Sequence, residues 1–595
     1  MQFFVQMWKP RTLKSWLMIF PISVLMLVLA VACGSAAAPE ADTTAPAKAA
    51  PATAAPAAVP QAKAEPEVAE VNPGNVTFMV AAWGDERFDR TFSGGASSAY
   101  GRILHGFLIQ STPDTEMIPG IATDWSYSSD GKTWIVNIRD GVKFHDGTDL
   151  TAADVQWSIE HNYGPQAYTY AASSTAVGFA KKMEKVVQTG PNQVSMTFKE
   201  IETGFPGYMS AAGPTWPMML PKRATLRNEE EEAAYDKNPI GAGIMARGRF
   251  VPSEVMEFER FDDYYFQPAN GFDEDRRVNF ATLDLRLVPE EATRVAAIRA
   301  GEADVAPVSL QAKSQIEKGG GRLVWGAEGG YFRVLLFGCW SGAEREGMES
   351  YPCEDKRVRQ ALSYAVNKDE MRDQLYGGPL AMDVEKGGWG AVTPSTIGYS
   401  PELKPYPFDP AKARALMTDA GYKNPDNPNG KDFGPLIINT WVSAFMPFLP
   451  ESAQLAAENW KRELGIDTEV NVGEEVSLKK AYKAGDLDGQ IVWRDNETRL
   501  DAASIMGSQF GRRDKRDRSH NSEDLFVAVQ NGIGVFADAE RPKALNELYM
   551  TLYDEQYLIG IGTVNIPWAL GKDVENWEPY PVAFFPSGMH TLILK

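Results

Sequence analysis

Five histidines occur in this 595-residue chain, at positions 105, 145, 161, 520 and 590. His145 stands beside Asp146 in a turn-rich stretch, DGKTWIVNIRDGVKFHDGT at 130–148. Such a pair can serve general acid–base catalysis when a cleft and further partners hold it in place. The surrounding residues point elsewhere, because Asp-Gly and Gly-Lys steps are turn signals, glycine supplies positive φ, and Asp and His tolerate tight turns. His145-Asp146 is therefore read as architecture. Other reactive patterns are missing: the chain has no G-x-S-x-G, no H-E-x-x-H and no P-loop. GAGIMARG, 241–248, has the wrong glycine spacing for the dinucleotide-binding G-x-G-x-x-G. Neither an enzyme nor a cofactor is expected.

Three cysteines remain, Cys33, Cys339 and Cys353. Cys339 and Cys353 are close enough in sequence to close a small disulfide loop in an oxidising compartment. Such a bond is worth roughly 3 kcal/mol. Two unpaired thiols are the alternative, since sequence does not show whether the Cβ atoms meet. A metal pair is disfavoured, with no histidine nearby. Cys33 follows a different logic: Lys9, Arg11 and Lys14 precede WLMIFPISVLMLVLAVA at 16–32, an apolar segment ending in small residues before Cys-Gly-Ser. That is the layout of a secretory signal covering 1–32. Its LAVAC end resembles a bacterial lipobox, in which the cysteine is acylated and becomes the first mature residue; Ala30 stands where that pattern prefers Leu. An uncleaved anchor is the alternative, as the segment approaches the roughly 20 residues that span a bilayer. Both readings put the body of the chain outside the cytoplasm, at the cell surface or the periplasmic side of the inner membrane.

Residues 33–73 comprise Cys33 and an Ala, Pro, Thr and Glu tract with almost nothing large to bury, so ordering it has no packing return. As a flexible coil it would let a folded body range on the order of 35 Å from a membrane. The formal charge of −20 argues against nucleic acid, which needs clustered Lys and Arg.

Beyond the tract the chain is too long for one core and alternates strand-like with helix-like segments. NVTFMVAAW (75–83) and TWIVNI (133–138) read as strands, and SSAYGRILHGFLIQ (97–110) as a helix entering a strand. DLTAADVQWSIEHN (149–162) reads as a helix capped by Thr151, with Asp154 completing a capping-box variant. EATRVAAIRAGEADVAPV (291–308) gives a helix, a glycine stop and a strand. Helices are expected at 356–376, 410–422 and 451–466, the last followed by the alternating strand DTEVNV. A mixed α/β protein of several domains follows.

IATDWSYSSDGKTWIVNIRDGVKFHDGTDLTAADVQWSIE, 121–160, resembles the signature region of ABC-importer extracytoplasmic solute-binding proteins of family 5, the peptide, nickel and oligosaccharide binders. NPIGAG, RFDDYYF, ATLDLRLVPEEATRVAAIRAGEADVA, DKRVRQALSYAVNKDEM, YPFDPAKARALMTDAGY and LGIDTEVNV agree in order. The resemblance implies a periplasmic-binding-protein-like type II fold with two lobes and an extra small domain, three domains of the cluster C type. By that analogy one discontinuous lobe comprises 74–115, 239–333 and 566–595, the small domain 116–238, and the second lobe 334–565. The His145 stretch then belongs to hairpins of the small domain. The implied mechanism is hinge closure on a solute that contacts both lobes only when they are shut. A membrane ABC permease is the implied partner of a monomeric receptor; sensing or adhesion on the same scaffold is the alternative.

Trp83, Trp389, Trp441 and Trp493 are the aromatic residues expected near lobe edges, where an aromatic wall suits peptide or sugar faces. Ordinary core packing is the alternative for each. VWRDNETRLD resembles the cleft-lining W-x-x-D-Y-x-(D/E)-P of the family through Trp493. In peptide binders the Asp three places on pairs with the peptide amino terminus; here that residue is Asn496, with Asp495 one place earlier. Asp495 can replace it through a shifted loop, and Arg494 can grip a carboxylate in bidentate fashion. A metal ligand set is disfavoured, since no His or Cys cluster accompanies these residues.

Overall fold

The computed structural model describes residues 72–595 apart from 84–85, 89–97, 113–115, 165–178, 212–217, 225, 227, 327–329, 337–350, 386–391, 444–445, 485, 488, 498–500, 502, 511–521, 536–539, 566 and 581–586. The apolar segment at 16–32, Cys33 and the Ala/Pro tract lie outside the described residues.

A seven-stranded mixed sheet runs in the order Arg322–Trp325, Pro567–Leu570, Val305–Pro307, Asn72–Val80, Phe280–Leu287, Val255–Arg260, Met245–Val251. Its central strand Asn72–Val80 pairs in parallel with Phe280–Leu287 and is buried from Val76 onward. That continuous buried run, apolar but for Thr77, is what a strand covered on both faces requires. One face packs Trp568 and Trp577 edge-on against Phe78; the other packs Val295, Ile298 and Ile316 from the helices Glu291–Ala300 and Lys313–Lys318. Glu291–Ala300 ends where Gly301 adopts φ 76°, a left-handed stop that costs glycine little.

A six-stranded sheet has the order Met382–Asp383, Leu558–Val564, Gly330–Leu336, Ile491–Glu497, Leu436–Thr440, Thr468–Val472. The helix Leu449–Leu464 joins two of its parallel strands and starts with Pro450 in its first turn, closing at Gly465 with φ 71°. The chain passes from the seven-stranded sheet to the six-stranded one between Trp325 and Gly330 and returns between Val564 and Pro567.

A four-stranded antiparallel sheet, Ala122–Tyr127, Thr133–Ile138, Gln193–Phe198, Met183–Gly190, carries the helix Ala152–Tyr163. All three Asp-Gly turns in its 130–148 stretch place glycine at positive φ: 68° at Gly131, 77° at Gly141 and 82° at Gly147. Asp154 reaches back to Thr151, accepting its backbone N–H at 2.9 Å and its hydroxyl at 2.6 Å. His145 is a clip between this sheet's turns and the segment leading into Met245–Val251. Its Nε2 donates to the Gly243 carbonyl at 3.1 Å, and Phe261 packs edge-on against its ring. The glycines it holds are forced by close approach: a Cβ at Gly241 would lie 1.9 Å from the Leu104 carbonyl oxygen, and one at Gly243 2.3 Å from that of Ile103. GAGIMARG is thus a tight crossing of two backbones.

Candidate ligand-binding site

Three neighbouring strands of the six-stranded sheet, Leu436–Thr440, Thr468–Val472 and Ile491–Glu497, run parallel. Loops beyond the carboxyl ends of such strands are where α/β sheets take up ligands, because backbone and side-chain groups converge there without completing one another. Trp441 and Ser443 follow the first strand, the helix Glu475–Ala484 follows the second, and Arg494 and Asp495 lie within the third, past its last pair with the first strand at Val492.

Trp493 and Trp441 occupy different environments. Trp493 is fully buried; its indole N–H donates to the Ser452 hydroxyl at 2.8 Å, and its ring meets Trp460 edge-on at 6.4 Å. The helix Leu449–Leu464 supplies both partners, so Trp493 sits in the core with its one polar atom already engaged, not on an open wall. Trp441 is 1 % exposed, yet its Nε1 is buried with no acceptor among the described residues, as is the hydroxyl of the adjacent Thr440. Leaving a buried donor unmatched costs about 1–3 kcal/mol, which makes the pair an invitation to an incoming acceptor.

Charge surrounds that ring. The Lys479 ammonium lies 5.5 Å and the Arg494 guanidinium 5.7 Å from the Trp441 ring centroid, within the range of cation–π attraction. Arg494 Nε also donates to the Asp495 carbonyl at 3.3 Å. The Asp495 carboxylate is buried and accepts the Ser443 hydroxyl, whose oxygen in turn accepts the Met446 N–H at 3.0 Å. Burial raises its pKa above the ordinary carboxylate value, and the Ser443 bond and the Arg494 charge oppose that rise. Lys479 is held one turn from Glu475 by an ion pair.

The remaining sequence-based candidates are dispersed. Trp83 follows the central strand of the other large sheet, buried, its N–H bonded to Glu86 at 2.9 Å. Asn496 pairs through its backbone with Tyr331. Trp389 and Cys339 lie outside the described residues, whereas Cys353 is disulfide-bonded. Ser443, Lys479 and Thr440 were not among the sequence candidates; the i,i+4 spacing of Glu475 and Lys479 marks a helix face but not what it faces. Elsewhere, a cavity of about 90 Å³ is lined by Arg102, His105, Tyr264, Arg276, Tyr580 and His590. Arg276 there is spent on Glu274 and the Ser111 carbonyl.

A sequence profile described as Bacterial extracellular solute-binding proteins, family 5 Middle, matches residues 116–514. Heme-binding protein A of Haemophilus influenzae is 25% identical over 473 residues, 74% of this chain and 78% of that protein. The dipeptide-binding protein of Escherichia coli is 25% identical over 380 residues, 59% of this chain and 65% of its own length, so the chain spans less than two thirds of that relative. Among solved structures, the periplasmic binding protein DppA from Helicobacter pylori in complex with peptide STSA aligns with a TM-score of 0.67 at 19% identity, covering 88% of this chain and 98% of that one. The fold is thus the α/β type II periplasmic-binding-protein fold expected from the 121–160 region. With the profile running through the four-stranded sheet and on past the Ile491–Glu497 strand, the chain belongs to the bacterial extracellular solute-binding proteins of family 5.

Proposed function

We propose that the protein is a membrane-tethered extracytoplasmic receptor that captures a small polar solute between two lobes and passes it unchanged to an ABC permease. The lobes are 74–115 with 239–333 and 566–595, and 334–565, with the small domain at 116–238. Lipidated Cys33 and the following tract form the tether, a Cys339–Cys353 disulfide closes the loop before the Lys356–Tyr364 helix, and the receptor acts as a monomer. The observation that carries this reading is the pair of unmatched buried donors on Thr440 and Trp441, at the carboxyl edge of parallel strands and ringed by Lys479 and Arg494.

Those groups suit a ligand rich in acceptors, such as a peptide or oligosaccharide carrying carbonyl or carboxylate oxygens. A free ammonium is served less well, because Asp495 is already bonded to Ser443 and burial disfavours its charge. The family relatives that bind heme or dipeptides are compatible with this range of solutes. Native mass spectrometry of the full chain purified from its source cells tests the reading. One solute bound one-to-one and released intact on denaturation is expected; catalytic consumption of the solute on incubation would contradict it.

A further inference from the structure

The turn between the strand Gln193–Phe198 and the short helix Phe205–Tyr208 is anchored at every side. Glu202 is buried; its carboxylate accepts the Gly204 N–H at 2.8 Å and pairs with Lys182 at 3.1 Å, and its carbonyl accepts the Trp134 indole N–H at 2.7 Å. That scaffold fixes Thr203, whose hydroxyl donates to the Ile533 carbonyl, 330 residues away. Thr203 belongs with the four-stranded sheet, whereas Ile533 ends the helix Glu523–Ile533, downstream of the last parallel strand of the six-stranded sheet. Beside this contact, a Cβ at Gly207 would stand 3.7 Å from the Cβ of Asp501.

The receiving side is equally fixed. Arg541, nearly buried, donates to Asp501 at 2.6 and 3.2 Å, to the Val535 carbonyl at 2.7 Å and to the Ile533 carbonyl at 3.3 Å. A carbonyl at a helix carboxyl end has no donor from its own helix. Here it has two from elsewhere: Arg541 within the same group of helices, and Thr203 from across. When Thr203 withdraws, Arg541 still serves Ile533, so parting strands no buried acceptor, and the Thr203 hydroxyl is free to turn to water. A contact with that property holds weakly and opens reversibly.

We propose that Thr203–Ile533, with the Gly207–Asp501 approach beside it, is a latch between the small domain and the second lobe, made in the closed form and broken in the open one, which sets the balance of the two before any solute arrives. The inference rests on the two-lobed reading above. Apparent affinity scales with the fraction of receptor already competent, so weakening the latch lowers it several-fold without touching the solute.

The full chain carrying Gly207→Cys and Asp501→Cys, freed of co-purified solute by denaturation, dialysis and refolding, tests the geometry, since disulfides form with Cβ atoms about 3.5–4.5 Å apart. Spontaneous linkage of the 207 and 501 peptides is expected in non-reducing peptide maps; a folded protein with both thiols free overturns the proposal. Losing Asp501 strips Arg541 of its partner and can impair folding, so Thr203→Val provides a second arm. It should raise the radius of gyration in solution scattering and speed amide exchange at 203–207 and 531–535, with unchanged circular dichroism. No change in either overturns the latch. Both arms are read without solute, so a failed latch leaves solute capture standing, while a protein that latches but carries no solute from its source cells overturns the receptor reading alone.

Discussion

His145 and Gly241 are joined twice: the backbone N–H of His145 donates to the Gly241 carbonyl at 2.9 Å, and the Gly241 N–H donates to Nδ1 of the His145 ring at 3.3 Å. With Nε2 committed to Gly243, the imidazole has no nitrogen left for chemistry. His145→Ala should cost about 2–3 kcal/mol of stability through two lost bonds and a small void. Solute affinity should not move; urea unfolding and a binding titration on the same variant check both statements.

The same burial makes stability depend on acid. Desolvation lowers the pKa of His145 to about 4 and those of His105 and His590 to about 3. In the unfolded chain these groups titrate near 6.5, so above that pH both states are neutral and the histidines favour neither. As pH falls from 6.5 toward 4 the unfolded state binds protons that the native state refuses, and stability drops. Urea midpoints measured between pH 7.5 and 4.5 should fall, and His145→Ala should flatten the slope.

Trp441 and Trp493 should separate binding from folding. Trp441→Phe removes the unmatched N–H and keeps an aromatic ring, so solute affinity should weaken about tenfold, the worth of one good hydrogen bond, with little loss of stability. Trp493→Phe breaks the bond to Ser452 in the core and should cost about 1–3 kcal/mol while leaving affinity unchanged. Thermal unfolding and calorimetric titration of both variants make the comparison; the reverse pattern would move the site.

Arg359 is the tie of the Lys356–Tyr364 helix. Its guanidinium is buried, donates to the carbonyls of Cys353, Glu354 and Glu555, pairs with the Glu555 carboxylate at 2.8 Å, and lies 3.8 Å from the Tyr557 ring centroid. Arg359→Ala strands those carbonyls and should destabilise the protein by about 3–5 kcal/mol in chemical denaturation. Arg359→Lys should recover little, since an ammonium cannot reproduce the planar fork.

Local signals in the chain translate well into local structure. Thr133–Ile138 is a strand with the alternation its residues show, Glu291–Ala300 stops at its glycine, and Asp154 closes its capping box. The site is less legible because its members meet through sheet register. Nothing near Ser443 in sequence signals Asp495, 52 residues on, and Thr203 gives no hint of Ile533. Trp493 and Trp441 are one residue type, separated in role by whether the helix Leu449–Leu464 brings a serine to the indole. Family resemblance located the Trp493 strand; only three-dimensional pairing sorts which of its neighbours has an unmet need.

The double passage of the chain between the two large sheets has a genetic meaning. The half built on the six-stranded sheet is one contiguous stretch of coding sequence, Gly330 to Val564, whereas the other is interrupted by it, because Pro567–Leu570 returns to the sheet that Arg322–Trp325 left. A single crossover between related genes therefore cannot exchange one intact half for another; two are needed, one in each of the short passages that flank Gly330–Val564.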